Sequence, residues 1–281
     1  MKTVVVTDST AYIPLDLRKR LNIRMVPLSV VIGNETYQEE VDIDANEFYE
    51  KIRNERALPK TSQPALGDFV STFEELSKEY DAVISVHLSS GISGTLAGAE
   101  QAGGMIDNLD VYTFDTEISC MVQGFYVMRA AEMAQNGEHP DRIIEELNKM
   151  KKGMRAYFMV DNLDHLHRGG RLNGFERIIG SMLQVKPILH FENKVIVPFE
   201  KVRTRKKAMK RISDMLQEDA DKANKIQATI IHANNENEAF AWRDELAATM
   251  PNVEFIISYF GPVIGTHLGE GSMGLGWTKI D

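Results

Sequence analysis

Hydroxyls and glycines with the spacing of an anion-binding turn occur in Ser89–Thr95, which reads Ser-Ser-Gly-Ile-Ser-Gly-Thr. The stretch follows an apolar run and precedes an Ala- and Gly-rich segment, so it predicts a turn from a strand into a helix. Glycines let backbone N–H groups approach a ligand, and the start of a helix favours negative charge. The turn therefore suits a carboxylate or a phosphate. The local sequence equally allows a plain glycine turn capped by Ser or Thr.

Two further segments bring hydroxyl groups to predicted turns. Asp8–Thr10 ends the first β-branched run, and Thr61–Pro64 precedes a segment with apolar residues at helical spacing. In a doubly wound sheet such turns gather at the carboxyl ends of the strands, so the three loops could meet. Taken singly, each is more often a capping turn.

A histidine and a pair of arginines add candidate donors. His267 lies in the glycine-flanked stretch Gly261–Gly269, which predicts a long loop, and it could donate a hydrogen bond to a carboxylate. The alternative is an ordinary structural histidine. Arg168 and Arg171 surround two glycines, and a guanidinium fork suits a carboxylate or a phosphate, although a glycine-capped helix end would look the same.

A basic run in residues 201–211 stands out because the chain is acidic, with a net charge of -9 and a pI near 5.4. The run predicts either a solvated helix face or a docking patch for an acidic partner. The acidic balance of the whole chain argues against general nucleic-acid binding, which needs a broad cationic surface.

The composition is that of an ordinary folded protein. Of the 281 residues 43% are hydrophobic and 26% are charged, which places the chain outside the disordered and fibrous classes. A single cysteine, Cys120, excludes an internal disulfide and predicts a buried apolar filler. The sequence shows neither a secretory signal nor a run long enough to span a membrane, so a cytoplasmic location is expected.

The first half of the sequence predicts a parallel sheet covered by helices. Short β-branched runs at Val4–Thr7, Ile23–Ile32, Ala82–Leu88 and Val111–Phe114 alternate with segments of helical periodicity. Alternation of this kind is typical of α/β folds.

The second half predicts a mixed α/β domain. Ile188–Phe191 and Val195–Phe199 form a predicted hairpin, and Val253–Tyr259 is the last strand that the pattern indicates. A charged joint near residues 151–155 predicts two domains, residues 1–153 and 154–281.

Taken together, six segments resemble the signature of the DegV family, in family order and over nearly the whole chain. They are Asp8–Thr10, Thr61–Pro64, Ser89–Thr95, Arg168–Arg171, Lys186–Leu189 and Gly261–His267.

The resemblance implies a two-domain DegV-like fold with a tunnel between the domains that holds one long-chain fatty acid. It implies that Thr61, Ser93, the Gly94 N–H and His267 bind the carboxylate, with Arg171 nearby. No metal and no cofactor other than the fatty acid is expected. Secondary candidates for the ligand site are Ser9, Ser62, Thr95 and Thr266.

The resemblance also implies a lipid-binding subunit without catalytic activity of its own. A separate fatty acid kinase catalytic subunit would phosphorylate the bound carboxylate from ATP, and the acyl phosphate would pass to acyltransfer enzymes of phospholipid synthesis. Arg203 and Arg205 match a basic segment expected near the kinase-docking surface. Transient membrane contact is compatible with this role, and nucleic acid is not an expected partner.

Two positions depart from the family pattern. Glu270 stands where a proline is frequent, which bears on the geometry of the ligand loop. Glu39 and Glu40 stand where an acid and a glycine are common, and we expect a surface change there.

An alternative from another class is an acyl hydrolase with Ser93 as nucleophile and His267 as base. The sequence supports it less, because Ser93 lies in Gly-Ile-Ser-Gly rather than G-x-S-x-G and no acidic residue is identifiable as the orienter of His267.

Overall fold

The computed structural model describes residues 1–53, 58–172 and 186–280. In the first half, the elements are β1 (Thr3–Asp8), α1 (Leu15–Arg20), β2 (Ile23–Val26), β3 (Ser29–Ile32), β4 (Glu35–Gln38), α2 (Ala45–Ile52), β5 (Lys60–Ser62), α3 (Leu66–Leu76), β6 (Ala82–His87), α4 (Thr95–Gly103), β7 (Asp110–Asp115), α5 (Cys120–Gln135) and α6 (Pro140–Gly153). A short 3₁₀ turn, Ser9–Ala11, follows β1.

The predicted parallel sheet is confirmed. Its strand order is β2-β1-β6-β7, and all three neighbouring pairs are parallel. The two central strands, β1 and β6, are almost entirely buried because helices cover both faces. Because β1 and β6 are neighbouring parallel strands, the turns that follow them lie side by side at the carboxyl end of the sheet.

The predicted strand Ile23–Ile32 is in fact two strands. Pro27 and Leu28 separate β2 from β3, and proline cannot donate a hydrogen bond to a sheet. Beyond this break, β3 pairs antiparallel with β4 and β5 in a small three-stranded sheet. Thr61 consequently lies on a strand, β5, rather than in the predicted loop.

The second half contains β8 (Arg155–Met159), α7 (Asp164–Arg168), β9 (Lys186–Glu192), β10 (Val195–Val202), α8 (Arg205–Ala220), β11 (Ile226–His232), α9 (Glu236–Ala247), β12 (Val253–Tyr259), α10 (Pro262–Leu268) and β13 (Met273–Lys279). Its six-stranded sheet has the order β10-β9-β8-β13-β11-β12. The predicted β9–β10 hairpin is confirmed, and the sheet is mixed, with β11 and β12 parallel.

Strand β13 contradicts the prediction that Val253–Tyr259 is the last strand. It lies inside the sheet, antiparallel to both β8 and β11. Glycine weakens strand patterns, and β13 reads Met-Gly-Leu-Gly-Trp-Thr-Lys. The glycines have a packing reason, because a Cβ at Gly276 would lie 2.3 Å from the Val122 side chain.

Helix α5 packs against both large sheets. It contacts β1 and β6 on one side and β11 and β12 on the other. Twelve of its sixteen residues are buried, which explains why its sequence is mostly apolar, and Arg129, Glu132 and Gln135 are exposed. The predicted division at residue 153 falls between α6 and β8 and stays a prediction. Within the described ranges, none of the helices combines the length and apolarity needed to cross a bilayer.

Candidate functional site

An apolar chamber lies between the two large sheets. Residues of both halves form its walls, among them Ile92, Ile118, Val122, Phe158, Phe191 and Leu275. The space between these walls amounts to about 540 Å³, part of it continuous with solvent. Small-molecule sites have mostly apolar walls with a few polar groups, and this chamber has the same character. The chamber is therefore suited to an apolar ligand.

Cys120 lies in the wall of this chamber, as expected of an apolar filler. Its side chain is buried, and burial raises the pKa of the thiol to about 12. The thiol is consequently neutral near pH 7 and adds no charge to the chamber.

A polar pocket adjoins the chamber, since Arg171, His267 and Ile92 line both. The polar pocket, called the hydroxyl pocket below, is formed by Thr61, Ser62, Gln63, Ser93, Gly94, Arg171 and His267 together with apolar neighbours. The structure thus brings together all five residues expected to bind the carboxylate, and Ser62 with them. An apolar chamber that ends in hydroxyls, an imidazole and a guanidinium has the polarity of a long-chain acid.

Thr61 and His267 are joined by a hydrogen bond of 2.9 Å between Oγ1 and Nε2. Burial, together with the nearby Arg171 and His165 side chains, lowers the pKa of His267 to about 4. His267 is therefore neutral near pH 7. Its Nδ1 is buried and has no partner among the described residues, so the ring retains hydrogen-bonding capacity.

Helix α10 corrects the prediction that Gly261–Gly269 is a loop. Pro262 occupies the first turn, where its missing N–H costs nothing. The helix carries His267 in its last turn, facing Thr61 of β5. Thr266 is buried and donates to the Pro262 carbonyl at 2.8 Å, so its hydroxyl is satisfied inside the helix.

Ser93 immediately precedes Gly94, the N-cap residue of α4. Its Oγ accepts the Thr95 N–H at 3.3 Å and lies 2.9 Å from Thr95 Oγ1. Thr95 is fully buried, whereas Ser93 is partly exposed and lines the hydroxyl pocket. Of these two residues, Ser93 is the one that can reach a ligand.

Two glycines of the Ser89–Thr95 turn make room for the protein itself. A Cβ at Gly94 would lie 2.1 Å from the Gln63 side chain, and a Cβ at Gly91 would lie 2.3 Å from the Lys194 carbonyl. Lys194 belongs to the turn of the β9–β10 hairpin, and its carbonyl accepts from Ser89 Oγ at 2.7 Å. The β9–β10 hairpin of the second half thus contacts and supports the Ser89–Thr95 turn of the first half.

Arg171 fixes the relative position of two segments at the pocket. Its Nη1 donates to the Gly169 carbonyl at 2.5 Å and its Nε to the Ile92 carbonyl at 3.2 Å. The local structure also explains why Gly169 and Gly170 are glycines. A Cβ at Gly169 would lie 2.3 Å from His267 Nδ1, and Gly170 has φ +68°, a conformation typical of a helix cap.

The loop after β1 does not join the hydroxyl pocket. Ser9 is buried, donates to Glu39 Oε2 at 2.6 Å and accepts the Leu28 N–H at 3.0 Å. Of the three loops expected to meet, the structure brings two to the ligand pocket. Ser9 instead belongs to a buried network.

Glu39 was expected at the surface and is fully buried. Its carboxyl group accepts hydrogen bonds from Ser9, from Tyr12 at 2.9 Å and from the Val263 N–H at 2.8 Å. Burial raises the pKa of Glu39 to about 7, although these hydrogen bonds oppose the increase. Glu39 thus holds the start of α10, the helix that carries His267.

Glu40, also expected at the surface, is mostly covered. It accepts from Tyr259 Oη at 2.6 Å and lies 3.6 Å from Arg18. Its φ of +65° lies in the left-handed region, which explains why glycine suits this position. The Tyr259 hydrogen bond joins this strained residue to the second half of the chain.

A second histidine network, which was not predicted from the sequence, lies among Asp8, His87 and Ser85. Asp8 Oδ2 lies 2.9 Å from His87 Nδ1, and His87 Nε2 lies 2.7 Å from Ser85 Oγ. All three side chains are fully buried, and neither Ser85 nor His87 lines the chamber or the hydroxyl pocket. Burial acts to raise the pKa of Asp8, but hydrogen bonds and the charge of His87 bring it below its usual value. The order Asp-His-Ser resembles a catalytic triad without access for a substrate.

The hydrolase pairing of Ser93 with His267 finds no support in the geometry. The hydrogen bonds of Ser93 go to Thr95, and Nε2 of His267 bonds to Thr61. The described residues contain no group of His, Cys, Asp and Glu side chains that could hold a metal ion.

Glu270 and the two predicted docking arginines have defined surroundings. Glu270 pairs with Arg53 through both carboxylate oxygens and accepts from Asn234. Arg205 forms a bidentate pair with Glu238, with Nη2–Oε2 at 2.7 Å. Arg203 is exposed, which leaves it available to a partner.

Fold and site together define an α/β protein with two large sheets, an apolar chamber between them and a polar pocket at the end of the chamber. The chain belongs to the DegV family, because residues 2–279 match the family described as "Uncharacterised protein, DegV family". The resemblance predicted from the six segments is thereby confirmed.

Known relatives match this chain over its full length. The chain is 59% identical over 278 residues to Protein DegV of Bacillus subtilis, covering 99% of each sequence. The crystal structure of DegV, a fatty acid binding protein from Bacillus subtilis, matches with a TM-score of 0.96 at 58% identity and covers 100% of both chains. A DegV family protein from Thermus thermophilus, described for its fatty acid binding, matches with a TM-score of 0.93 at 32% identity, again over 100% of both chains.

Proposed function

We propose that this protein binds one long-chain fatty acid, with the alkyl chain in the apolar chamber and the carboxylate in the hydroxyl pocket. The observation that carries the proposal is the direct junction of the two spaces at Arg171 and His267. Full-length relatives described as fatty acid binding proteins support it.

Burial of the alkyl chain supplies most of the affinity. Each buried methylene contributes about 0.8 kcal/mol, so roughly fifteen of them offer on the order of 10 kcal/mol before the cost of ordering is subtracted. The chamber walls are apolar side chains from both sheets, which matches this requirement.

The carboxylate is held by neutral donors. When Nε2 of His267 donates to Thr61 Oγ1, the Thr61 hydroxyl proton is left to donate to the carboxylate. Ser93 Oγ and the Gly94 N–H at the start of α4 supply further donors, and the helix terminus favours the negative charge. These neutral donors position the carboxylate, while two donors of the Arg171 guanidinium, which also lines the pocket, go to the Gly169 and Ile92 carbonyls.

We further propose that the bound carboxylate is presented to a separate kinase subunit. A carboxylate oxygen would attack the γ-phosphorus of ATP, forming a new O–P bond while ADP leaves with the electrons of the bond that breaks. The present chain would hold the nucleophile, and the partner would supply the phosphoryl-transfer machinery. The acyl phosphate would then serve acyltransfer enzymes of phospholipid synthesis.

The binding proposal is tested by native mass spectrometry of the purified protein, followed by extraction and identification of any bound lipid. A Thr61→Ala/Ser93→Ala double variant should retain less fatty acid while remaining folded. Ser77→Ala/Thr249→Ala is a matched control, because both hydroxyls bond only to helix carbonyls away from the chamber. Wild-type lipid occupancy in the Thr61/Ser93 variant would refute the role of these hydroxyls.

The kinase proposal is tested separately in a coupled phosphorylation assay. Arg203→Ala should spare lipid binding and slow turnover by the kinase, whereas Lys207→Ala, which removes a nearby exposed charge, should have a smaller effect. Wild-type turnover by Arg203→Ala would remove the docking assignment and leave fatty acid binding untouched.

A further inference from the structure

A second polar pocket opens from the apolar chamber, at a place away from the hydroxyl pocket. Its space amounts to about 720 Å³, part of it continuous with solvent. No described residue lines both this pocket and the hydroxyl pocket. The residues that it shares with the chamber are Ile118, Ala156, Tyr157 and Phe191. The charged residues and the histidine of this rear pocket are Glu117, Lys151, Arg155 and His190. The chamber therefore leads to polar groups in two directions.

Arg155 is the cation of the rear pocket that has no carboxylate partner. Lys151 donates to Glu117 Oε1 at 3.2 Å, so these two charges compensate each other. Arg155 uses Nη1 for the carbonyls of Lys152 and Met154, at the end of α6. It forms no ion pair with an Asp or Glu in the part of the chain that the structure describes. The remaining guanidinium donors are therefore free to bind an anion.

His190 adds unused hydrogen-bonding capacity to the same pocket. Its ring stacks on Tyr157 with the ring centroids 6.0 Å apart, and neither ring nitrogen bonds to a described residue. Burial lowers the pKa of His190, so the ring is neutral near pH 7. A neutral imidazole offers one donor and one acceptor. The rear pocket thus combines an unpaired cation with a free donor.

This chemistry does not suit the methyl end of an alkyl chain. A methyl group placed here would take water from Arg155 and His190 and offer no hydrogen bond in return, which costs free energy. A carboxylate in the same place would accept from both side chains. Because Arg155 is exposed, such a carboxylate would also keep part of its hydration, which lessens the cost of desolvation.

We propose that the rear pocket binds a carboxylate at the far end of the ligand, so that the chamber accepts long-chain acids with a carboxylate at both ends. The inference rests on the proposed function and widens its class of ligand. One carboxylate lies in the hydroxyl pocket, and the alkyl chain crosses the chamber. The second carboxylate accepts hydrogen bonds from Arg155 and His190 in the rear pocket.

The test compares diacids with monoacids of equal length on the full-length protein, by displacement of a fluorescent fatty acid. The diacids are dodecanedioic, hexadecanedioic and eicosanedioic acid, and the monoacids are lauric, palmitic and arachidic acid. A second carboxylate enclosed by apolar walls should weaken binding at least about a hundredfold. A diacid long enough to reach the rear pocket should instead bind within about tenfold of its monoacid.

Arg155→Gln removes the charge that the proposal assigns to the second carboxylate. It should weaken binding of that diacid about fivefold, as for an exposed ion pair, and leave the affinity for palmitic acid unchanged. The side chain is exposed, so the substitution leaves the core packing intact. Lys152→Gln is the matched control, because it removes an equal charge from an exposed neighbour that does not line the rear pocket. It should keep the wild-type affinity for both acids.

The two proposals fail in different ways. If palmitic acid binds but every diacid binds at least about a hundredfold more weakly than its monoacid, the rear pocket is refuted and fatty acid binding stands. Equal affinities of Arg155→Gln and Lys152→Gln for the diacid would also overturn the role of the rear pocket. If wild-type protein binds none of the acids, the proposed function fails and the inference fails with it.

Discussion

Two histidines of this protein, His87 fully buried and His267 partly buried, lie in networks of opposite character. His87 bonds through both ring nitrogens, to Asp8 and to Ser85, and no part of its side chain is exposed. His267 bonds to Thr61 through Nε2, has no partner for Nδ1 among the described residues, and lines both the chamber and the hydroxyl pocket. The difference teaches how to find a ligand site. An unpaired polar atom beside a cavity is a better guide than a triad-like set of residues.

The largest expected difference between the two histidines is in stability, measured after each one is replaced. His87→Leu leaves the Asp8 carboxylate buried without its main partner, so the free energy of unfolding should fall by about 3–5 kcal/mol. His267→Leu leaves no buried charge and should change stability by about 1 kcal/mol or less. Urea unfolding at pH 7 measures both. Equal losses would show that the two networks are both structural.

The pH dependence of stability sharpens the comparison at His267. Since its folded-state pKa is lowered to about 4 from 6.5, the unfolded chain binds more protons between these values and stability rises with pH. We expect the free energy of unfolding of the wild type, relative to that of His267→Gln, to rise by about 3 kcal/mol from pH 4 to pH 6.5.

Glu39, at the other end of α10, acts in the opposite direction. Its folded-state pKa is raised to about 7 from 4.5, so the folded chain holds a proton that the unfolded chain releases, and stability falls as pH rises through this window. The advantage of wild type over Glu39→Gln should shrink by about 3 kcal/mol from pH 4.5 to pH 7. The two effects nearly cancel in the wild type. Urea unfolding across this range that shows equal slopes in all three proteins would contradict both assignments.

Ligand binding gives a smaller but more specific contrast. Thr61→Val removes the hydroxyl that faces His267 at almost constant volume, and fatty acid affinity should fall about tenfold, as for loss of a hydrogen bond to a charged group. Ser85→Ala, which removes the hydroxyl that faces His87, is the matched control and should leave affinity unchanged. Titration with a fluorescent fatty acid measures both. A loss in Ser85→Ala equal to that in Thr61→Val would remove the distinction.

The smallest expected effect is on the titration of His267 itself. A carboxylate bound beside the ring favours the charged imidazolium, so ligand binding should raise the pKa of His267 by about one unit from its value near 4. NMR of the ring protons detects this shift. The His87 resonances should stay in place when ligand is added, and they provide an internal reference.

Local patterns sufficed to predict the parallel sheet and the hairpin. The strands β1 and β6 are β-branched apolar runs, and the hairpin has a polar turn between two alternating strands. The segments that carry Thr61, Ser93 and His267 were identified by resemblance, and the structure brings these residues to one pocket. Short-range spacing alone would have left Thr61 and Ser93 in capping turns and His267 as an ordinary structural histidine.

The failures share a physical cause, because each depends on partners far along the chain. Glu39 is buried because Val263, 224 residues away, donates to it. His87 is paired with Asp8, 79 residues away, and neither neighbourhood contains a sign of the other. Helix α10 begins with Pro262 and contains Gly265, and strand β13 contains two glycines. Local propensity scores these residues against a helix and a strand.

The position of β13 has a consequence for how the protein is made. This strand emerges late in synthesis, yet it lies between β8 and β11 and supplies Gly274, Leu275 and Gly276 to the chamber wall. The parallel sheet of residues 3–115 can assemble during translation, as N-terminal units generally do. Until β13 is inserted between β8 and β11, the mixed sheet is incomplete at its middle, and so is the wall of the chamber that we propose for the fatty acid.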